Sequence, residues 1–173
     1  AEAARLATYP PPDPAGWYGL GRGRGLVATP RRGDALGQHF GVYRRRGGVG
    51  VRDAHCPHVG ADLSLGRVKD DCLTCPFHEW SFDDDGRVAA VPYAEGAPKR
   101  SLATRAWATE ERDGFVFAFV DPEHRARGVV PEPPYRLPPW PGLADGRFVH
   151  PGDPDPGLVR LPPQAFAEHR APP

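Results

Sequence analysis

The chain has 173 residues, with 22 basic and 22 acidic side chains, and 39% of its residues are hydrophobic. Its zero net charge excludes a partner recognised mainly by charge, such as nucleic acid or an anionic membrane surface, and its apolar content excludes a wholly disordered chain. We find no apolar run of about 18 residues and no secretory signal, so we expect a cytoplasmic protein without a membrane span.

Prolines divide the chain into three parts, because they crowd its first residues and the stretch after residue 121. Proline fixes φ and removes a backbone donor, so neither flank is suited to a regular sheet or a long helix. We therefore expect a proline-rich flank at 1–14, a folded domain at 15–121, and a proline-rich, mostly irregular tail at 122–173.

Short apolar stretches separated by glycine or aspartate turns run through the folded part, which is typical of hairpins. In chain order the predicted strand pairs are 38–43 with 49–52, 68 with 72–73, 80–82 with 88–91, and 104–109 with 115–120. In the last strand Phe115, Phe117 and Phe119 share one face, because side chains alternate. No long amphipathic helix is indicated, so the sequence predicts an all-β domain of several small antiparallel sheets.

Two short segments carry candidate metal ligands: Cys56-Pro57-His58 and Cys75-Pro76-Phe77-His78. Each offers one thiolate and one imidazole from a loop between predicted strands. Structural zinc sites usually gather cysteines in one pair and histidines in another. A two-iron cluster of the Rieske kind needs both thiolates on one iron and both imidazoles on the other, so each loop can supply one ligand to each iron. The mixed pairs favour this [2Fe–2S] cluster over a structural zinc module.

These residues resemble the Rieske domain, and more closely the N-terminal domain of Rieske non-heme iron oxygenases. The resemblance rests on the two ligand motifs and covers residues 15–121. Within the group the sequence is similar to the steroid-oxidising branch, the 3-ketosteroid 9α-hydroxylase oxygenases and cholesterol 7-desaturases; the segments that carry the likeness include Gly16-Trp17-Tyr18, Gly60-Ala61-Asp62-Leu63-Ser64, Val91-Pro92-Tyr93-Ala94 and Thr104-Arg105-Ala106-Trp107. The resemblance implies a Rieske-type fold with two cluster-binding hairpin loops.

Two further residues could be mistaken for ligands. Cys72 and Cys75 together spell C-x-x-C, but the family takes no ligand at the position of Cys72, which we interpret as a small apolar residue in a strand. His55 stands next to Cys56, and we expect it at the surface or behind the ligands.

The resemblance implies one-electron transfer from a flavin or iron–sulfur reductase to a non-heme iron oxygenase centre that acts on a steroid or another hydrophobic substrate. That centre needs two histidines and a carboxylate in a separate catalytic domain or subunit. The tail offers His150, Asp153, Asp155, Glu168 and His169, but among prolines and without the family's spacing, so we expect no complete oxygenase site in this chain. A free-standing Rieske ferredoxin is the alternative electron carrier.

Overall fold

Antiparallel strands make up nearly all the regular structure of residues 15–27, 29–94 and 102–138, the part of the chain described by the computed structural model. The strands are β1 (Gly16–Arg22), β2 (Arg31–Ala35), β3 (Gln38–Arg45), β4 (Gly48–Asp53), β5 (Arg67–Lys69), β6 (Cys72–Thr74), β7 (Ser81–Phe82), β8 (Val88–Ala90), β9 (Ala106–Arg112) and β10 (Phe115–Val120). A single 3₁₀ turn at Leu63–Leu65 is the helical element of these residues. The predicted all-β fold class is confirmed.

The larger sheet has six strands in the order β1-β10-β9-β4-β3-β2. Its first and last strands are far apart in this order, but the sheet curls and brings them together. The guanidinium of Arg31 on β2 donates to the carbonyl of Leu20 on β1 at 3.3 Å. Gly33 on β2 lets the two strands come this close, because a Cβ at that position would lie 3.2 Å from the Leu20 side chain.

The smaller sheet, β5-β6-β7-β8, is inserted in the chain between β4 and β9 of the larger sheet. Its inward side chains, with Tyr43 of β3, form a buried cluster between the two sheets that includes Leu63, Leu73, Phe82 and Val88. The candidate ligand loops connect these elements: one follows β4 and the other joins β6 to β7.

The predicted hairpins β3–β4, β5–β6, β7–β8 and β9–β10 are all formed. Strands β1 and β2 were not predicted. Most of the predicted strand boundaries differ by one to three residues; for example, β3 continues to Arg45 and β9 to Arg112. β8 stops at Ala90 rather than Val91. β9 begins at Ala106 because the Thr104 N–H bonds instead to the carbonyl of Gly86, at 2.9 Å, in the turn between β7 and β8.

Both faces of β10 are buried, which explains its uninterrupted apolar sequence. Val116, Ala118 and Val120 face the main core, whereas Phe117 and Phe119 pack on the other side with Trp17 and Leu137. The Trp17 indole N–H donates to the carbonyl of Tyr135 at 3.1 Å, so the segment around Tyr135 lies along this outer face.

The predicted flank 1–14 lies outside the described residues, as does the part of the predicted tail that follows residue 138. In the part of the chain that the structure describes, no helix has the length and apolar character needed to cross a bilayer.

Candidate metal centre

The first loop follows β4 and is closed by its own backbone. The Cys56 N–H donates to the carbonyl of Ala61 at 2.9 Å, and the Gly60 N–H donates to the carbonyl of Cys56 at 2.8 Å. Gly60 has φ +81°, a left-handed conformation that glycine adopts without strain. These bonds leave His58 and Val59 at the tip of the loop.

The second loop is equally short. The Cys75 N–H donates to the carbonyl of Trp80 at 2.8 Å, which places Pro76, Phe77 and His78 within the turn. Glu79, with φ +58°, reverses the chain into β7. Phe77 projects from the tip and is 65% exposed.

A partly buried network supports the base of the first loop. The Asp53 carboxylate accepts hydrogen bonds from Arg105 Nε at 2.6 Å and from the indole N–H of Trp107 at 2.9 Å. The loop then enters the 3₁₀ turn, where the Asp62 carboxylate accepts from the Ser64 N–H at 2.8 Å and caps the turn. The loop is thus held at both ends.

The structure places the two predicted cysteine ligands together. Cys56 and Cys75 are 2% and 1% exposed and belong to the same buried cluster. Burial, the largest cause, raises the pKa of the Cys56 thiol to about 11, and the neighbouring Cys75 adds to the rise, while the N–H groups of His58 and Val59 oppose it. Two adjoining buried thiols of this kind ionise together only when a cation shares the site.

The two predicted histidine ligands are also together. The His58 and His78 rings have centroids 4.9 Å apart at 62°. His78 Nδ1 is buried and makes no hydrogen bond to another described residue. An imidazole nitrogen left without a partner inside the protein is expected where it binds a metal.

The donors are therefore grouped by type: sulfur beside sulfur and imidazole beside imidazole, each pair drawn from both loops. Two thiolates on one iron and two imidazoles on the other is the ligand arrangement of a Rieske [2Fe–2S] cluster. The residues present thus fit the two-iron group.

Cys72 and His55 are not brought into this arrangement. Cys72 lies half-buried on the outer face of the smaller sheet, where it lines a shallow groove with Arg67, Lys69 and Thr74. His55 is exposed. The histidines and carboxylates of the tail that were considered for a mononuclear iron site lie outside the described residues. They are His150, Asp153, Asp155, Glu168 and His169.

Two aromatic residues adjoin the centre in a way that sequence reasoning missed. Trp80 stacks on the His58 ring, with centroids 4.4 Å apart and an angle of 8°. Its N–H donates to the hydroxyl of Tyr93, which is 61% exposed. Trp80 lies two residues after His78, so its place beside the second loop can be read from the sequence. Its stacking on the His58 ring cannot, because no sequence pattern reports a contact between two loops.

Comparisons with known proteins agree with this geometry. A family model described as the Rieske [2Fe-2S] domain matches residues 16–105. The chain is similar to the cholesterol 7-desaturase of Drosophila melanogaster, with 37% identity over 156 residues, or 86% of this chain and 34% of that protein. It is also similar to the oxygenase component of the 3-ketosteroid-9-alpha-monooxygenase of Mycobacterium tuberculosis, with 40% identity over 78% of this chain and 34% of that protein.

Among solved structures, dicamba monooxygenase with non-heme iron and dicamba matches with a TM-score of 0.57 and 30% identity, over 67% of this chain and 36% of that one. The chain spans about a third of the length of the curated relatives it matches.

Proposed function

Because the chain belongs to the Rieske [2Fe-2S] domain family, we propose that Cys56, His58, Cys75 and His78 hold its cluster and that the domain relays single electrons from a reductase to a non-heme iron oxygenase centre. The observation that carries the proposal is the pairing of two buried thiols and of two imidazoles at adjoining loops. When bound, the cluster supplies reversible one-electron transfer.

Each side chain has a distinct part in this proposal. The Cys56 and Cys75 thiolates would bind one iron, and their burial keeps water from the sulfur side of the site. The His58 and His78 imidazoles would bind the other iron. His78 Nδ1, which is buried and has no hydrogen-bond partner among the described residues, is the atom that we assign to the metal. The imidazoles are partly exposed whereas the thiols are buried, so they would present the histidine side of the cluster to electron-transfer partners.

The relatives support the proposed partners and substrate. Two of them are named a cholesterol 7-desaturase and the oxygenase component of a 3-ketosteroid-9-alpha-monooxygenase. We accordingly propose a flavin or iron–sulfur reductase as the electron donor and a catalytic non-heme iron domain or subunit as the acceptor. The final substrate is a steroid or a similar hydrophobic molecule. The location that we propose is the cytoplasm, whose reducing conditions suit the three free thiols of the chain.

Metal analysis and spectroscopy of the purified chain test the cluster. The expected protein is red-brown, contains two irons and two labile sulfides, and on reduction gives the electron paramagnetic resonance spectrum of a histidine-ligated two-iron cluster. Cys56→Ser and His78→Ala should lose the cluster or change this spectrum. Cys72→Ser and His55→Ala are the matched controls and should leave it unchanged. A colourless protein with one bound zinc would overturn the proposal.

Electron relay needs a separate test. Reduced protein is mixed with a Rieske oxygenase reductase and with a separately produced catalytic component of the steroid-oxidising type, and cluster reoxidation is followed in the presence of oxygen and a 3-ketosteroid. We expect reoxidation that depends on the catalytic component. Reoxidation by unrelated acceptors alone would instead identify a free-standing ferredoxin.

A further inference from the structure

Four aromatic rings form a continuous set of contacts around the candidate centre. The Trp80 indole lies flat on the His58 imidazole, with centroids 4.4 Å apart and an angle of 8°. The Trp80 N–H donates to the Tyr93 hydroxyl, and the Tyr93 ring meets His78 edge-on at 6.5 Å and 80°. His58 and His78 complete the set with their own contact at 4.9 Å. Trp80 and Tyr93 thus connect the imidazoles of both loops.

Trp80 is itself held firmly. Its side chain is 8% exposed, and its carbonyl accepts the Cys75 N–H at 2.8 Å, the bond that closes the second loop. The next residue, Ser81, pairs through its hydroxyl with that of Thr74 at 3.0 Å inside the smaller sheet. A displacement of the indole would therefore disturb either the loop or the sheet.

We propose that Trp80 is a positioning residue that fixes the plane of the His58 imidazole, and that Tyr93 fixes the plane of Trp80. This inference rests on the proposed function, since it concerns His58 as a ligand. A ligand bound through a single nitrogen can still rotate about the bond to its metal, and neighbouring groups decide its orientation. Here the neighbouring group is an indole face supplied by the opposite loop.

The stacking also has an electrostatic consequence. The face of an indole is electron-rich and attracts an electron-poor ring, and an imidazole is more electron-poor on oxidised than on reduced iron. Trp80 therefore stabilises the oxidised state and lowers the electron affinity of the centre. Loss of the indole should raise the electron affinity by up to about tenfold, which corresponds to about 59 mV in the midpoint potential of a one-electron couple.

Four variants of the cluster-loaded chain test the assignment. Trp80→Leu removes the stacked ring, Trp80→Phe keeps a ring but loses the N–H, and Tyr93→Phe removes the hydroxyl that accepts it. Trp17→Phe is the control: Trp17 is also buried and also donates its N–H, but on the outer face of the larger sheet. Film voltammetry gives the midpoint potential, and pulsed electron paramagnetic resonance gives the nitrogen couplings of the ligand imidazoles.

We expect Trp80→Leu to raise the potential most and to alter the coupling of one imidazole. Trp80→Phe and Tyr93→Phe should produce smaller changes in the same direction, and Trp17→Phe should produce none. If Trp80→Leu does not fold, the potentials and couplings of Trp80→Phe and Tyr93→Phe decide the result. Cluster-containing variants with unchanged potentials and couplings would overturn this inference and leave the proposed function standing. An unaltered chain without a cluster would overturn both.

Discussion

Cys72 and Cys75 are separated by only two residues, but their thiols occupy different environments. Cys72 lies in β6, where side chains alternate, so its half-buried thiol is on the opposite face of the strand to Leu73, which packs in the core. Cys75 follows the strand and turns into the loop beside Cys56. Burial raises the pKa of Cys72, and so do the charges of nearby carboxylates, namely Asp83, Asp84, Asp70 and Asp71. The residues around Cys72 are therefore more polar than the sequence suggested.

Arg52 is the most buried charged residue of the described chain, at 2% exposure. It lies on β4 and donates from Nη2 and Nε to the carbonyl of Asp83, at 2.8 and 3.2 Å, and from Nη2 to the carbonyl of Asp84. Its guanidinium also lies 5.5 Å from the centre of the Tyr43 ring. One side chain thus joins the larger sheet to the turn between β7 and β8.

We predict that Arg52→Met lowers the free energy of unfolding by about 1–3 kcal/mol, because methionine fills the space but leaves the partly buried carbonyl groups of Asp83 and Asp84 without their donor. Arg45→Met is the matched control, since Arg45 pairs with the same turn through the more exposed Asp84 carboxylate at 2.9 Å. The control should cost less than about 1 kcal/mol. Urea unfolding measures both, and equal losses would contradict the role assigned to Arg52.

At the scale of elements, the 3₁₀ turn and β6 approach so closely that only glycine fits between them. A Cβ on Gly66 would lie 2.1 Å from the carbonyl oxygen of Thr74. Thr74 immediately precedes Cys75, so this approach links the end of the first loop to the start of the second. The relative position of the two loops depends on this contact.

We therefore expect Gly66→Ala to reduce the amount of cluster bound and to cost about 1–3 kcal/mol, because backbone must move to admit the methyl group. Gly60→Ala is a control within the same loop, since its φ is +81° but nothing lies within 4 Å of the added Cβ. That variant should cost only about 1 kcal/mol, from backbone strain. The iron content and urea midpoint of both proteins provide the comparison. Full iron content in Gly66→Ala would show that the two segments adapt.

Local signals predicted four hairpins, whereas β1 and β2 were missed for different reasons. The Asp113-Gly114 turn has positive φ at both residues, as its sequence indicates. Strand β1 is rich in glycine and pairs with β10, far along the chain, so no local pattern marks it. Strand β2 pairs with the next strand, β3, across Leu36 and Gly37, but its sequence is polar and lacks the apolar alternation that marks a strand.

The same division applies to the candidate centre. The residue types and the spacing in each loop predicted the four ligand side chains, because a metal's preference for sulfur and nitrogen can be read from sequence. The two thiols lie in one buried cluster and the two imidazoles are in contact, and their binding of the cluster stays a prediction. The stacking of Trp80 on His58, and the support of Asp53 by Arg105 and Trp107, depend on how separate segments pack. Such contacts become visible only in three dimensions.

At the scale of the whole molecule, the hairpin between β3 and β4 connects both sheets through consecutive arginines. Arg45 pairs with Asp84 of the smaller sheet, and the Arg46 N–H donates to the Asp71 carboxylate at 2.9 Å. Arg44 instead reaches Glu111 on β9 of the larger sheet. This run is therefore a set of ion pairs between segments, and not a basic patch free to bind an anionic partner.

The pair of Arg44 and Glu111 makes the stability of the molecule depend on pH. Two guanidinium nitrogens of Arg44 meet the two carboxylate oxygens at 2.6 and 3.0 Å, and a third contact at 3.0 Å joins Arg44 to the carbonyl of Gly23. The hydrogen bonds from Arg44 lower the pKa of Glu111 below its ordinary value, although partial burial opposes this. A carboxylate whose pKa is lower in the folded state stabilises the fold above its unfolded pKa, and this stabilisation is lost as the pH falls through the folded value.

We predict that Glu111→Gln lowers the unfolding temperature at pH 7 by about 1–3 °C, since a partly exposed pair contributes no more than about 1 kcal/mol. The difference from the unaltered protein should shrink as the pH falls from the unfolded glutamate pKa of about 4.3 through the lower folded value, below which Glu111 is protonated in both states. Calorimetry of the two proteins at matched cluster content measures this, because loss of cluster in acid then affects both equally. Asp113→Asn, which removes one negative charge from the adjoining turn, is the control. A difference for Glu111→Gln that stays constant down to pH 3 would mean that the side chain stabilises the fold through packing and not through its charge.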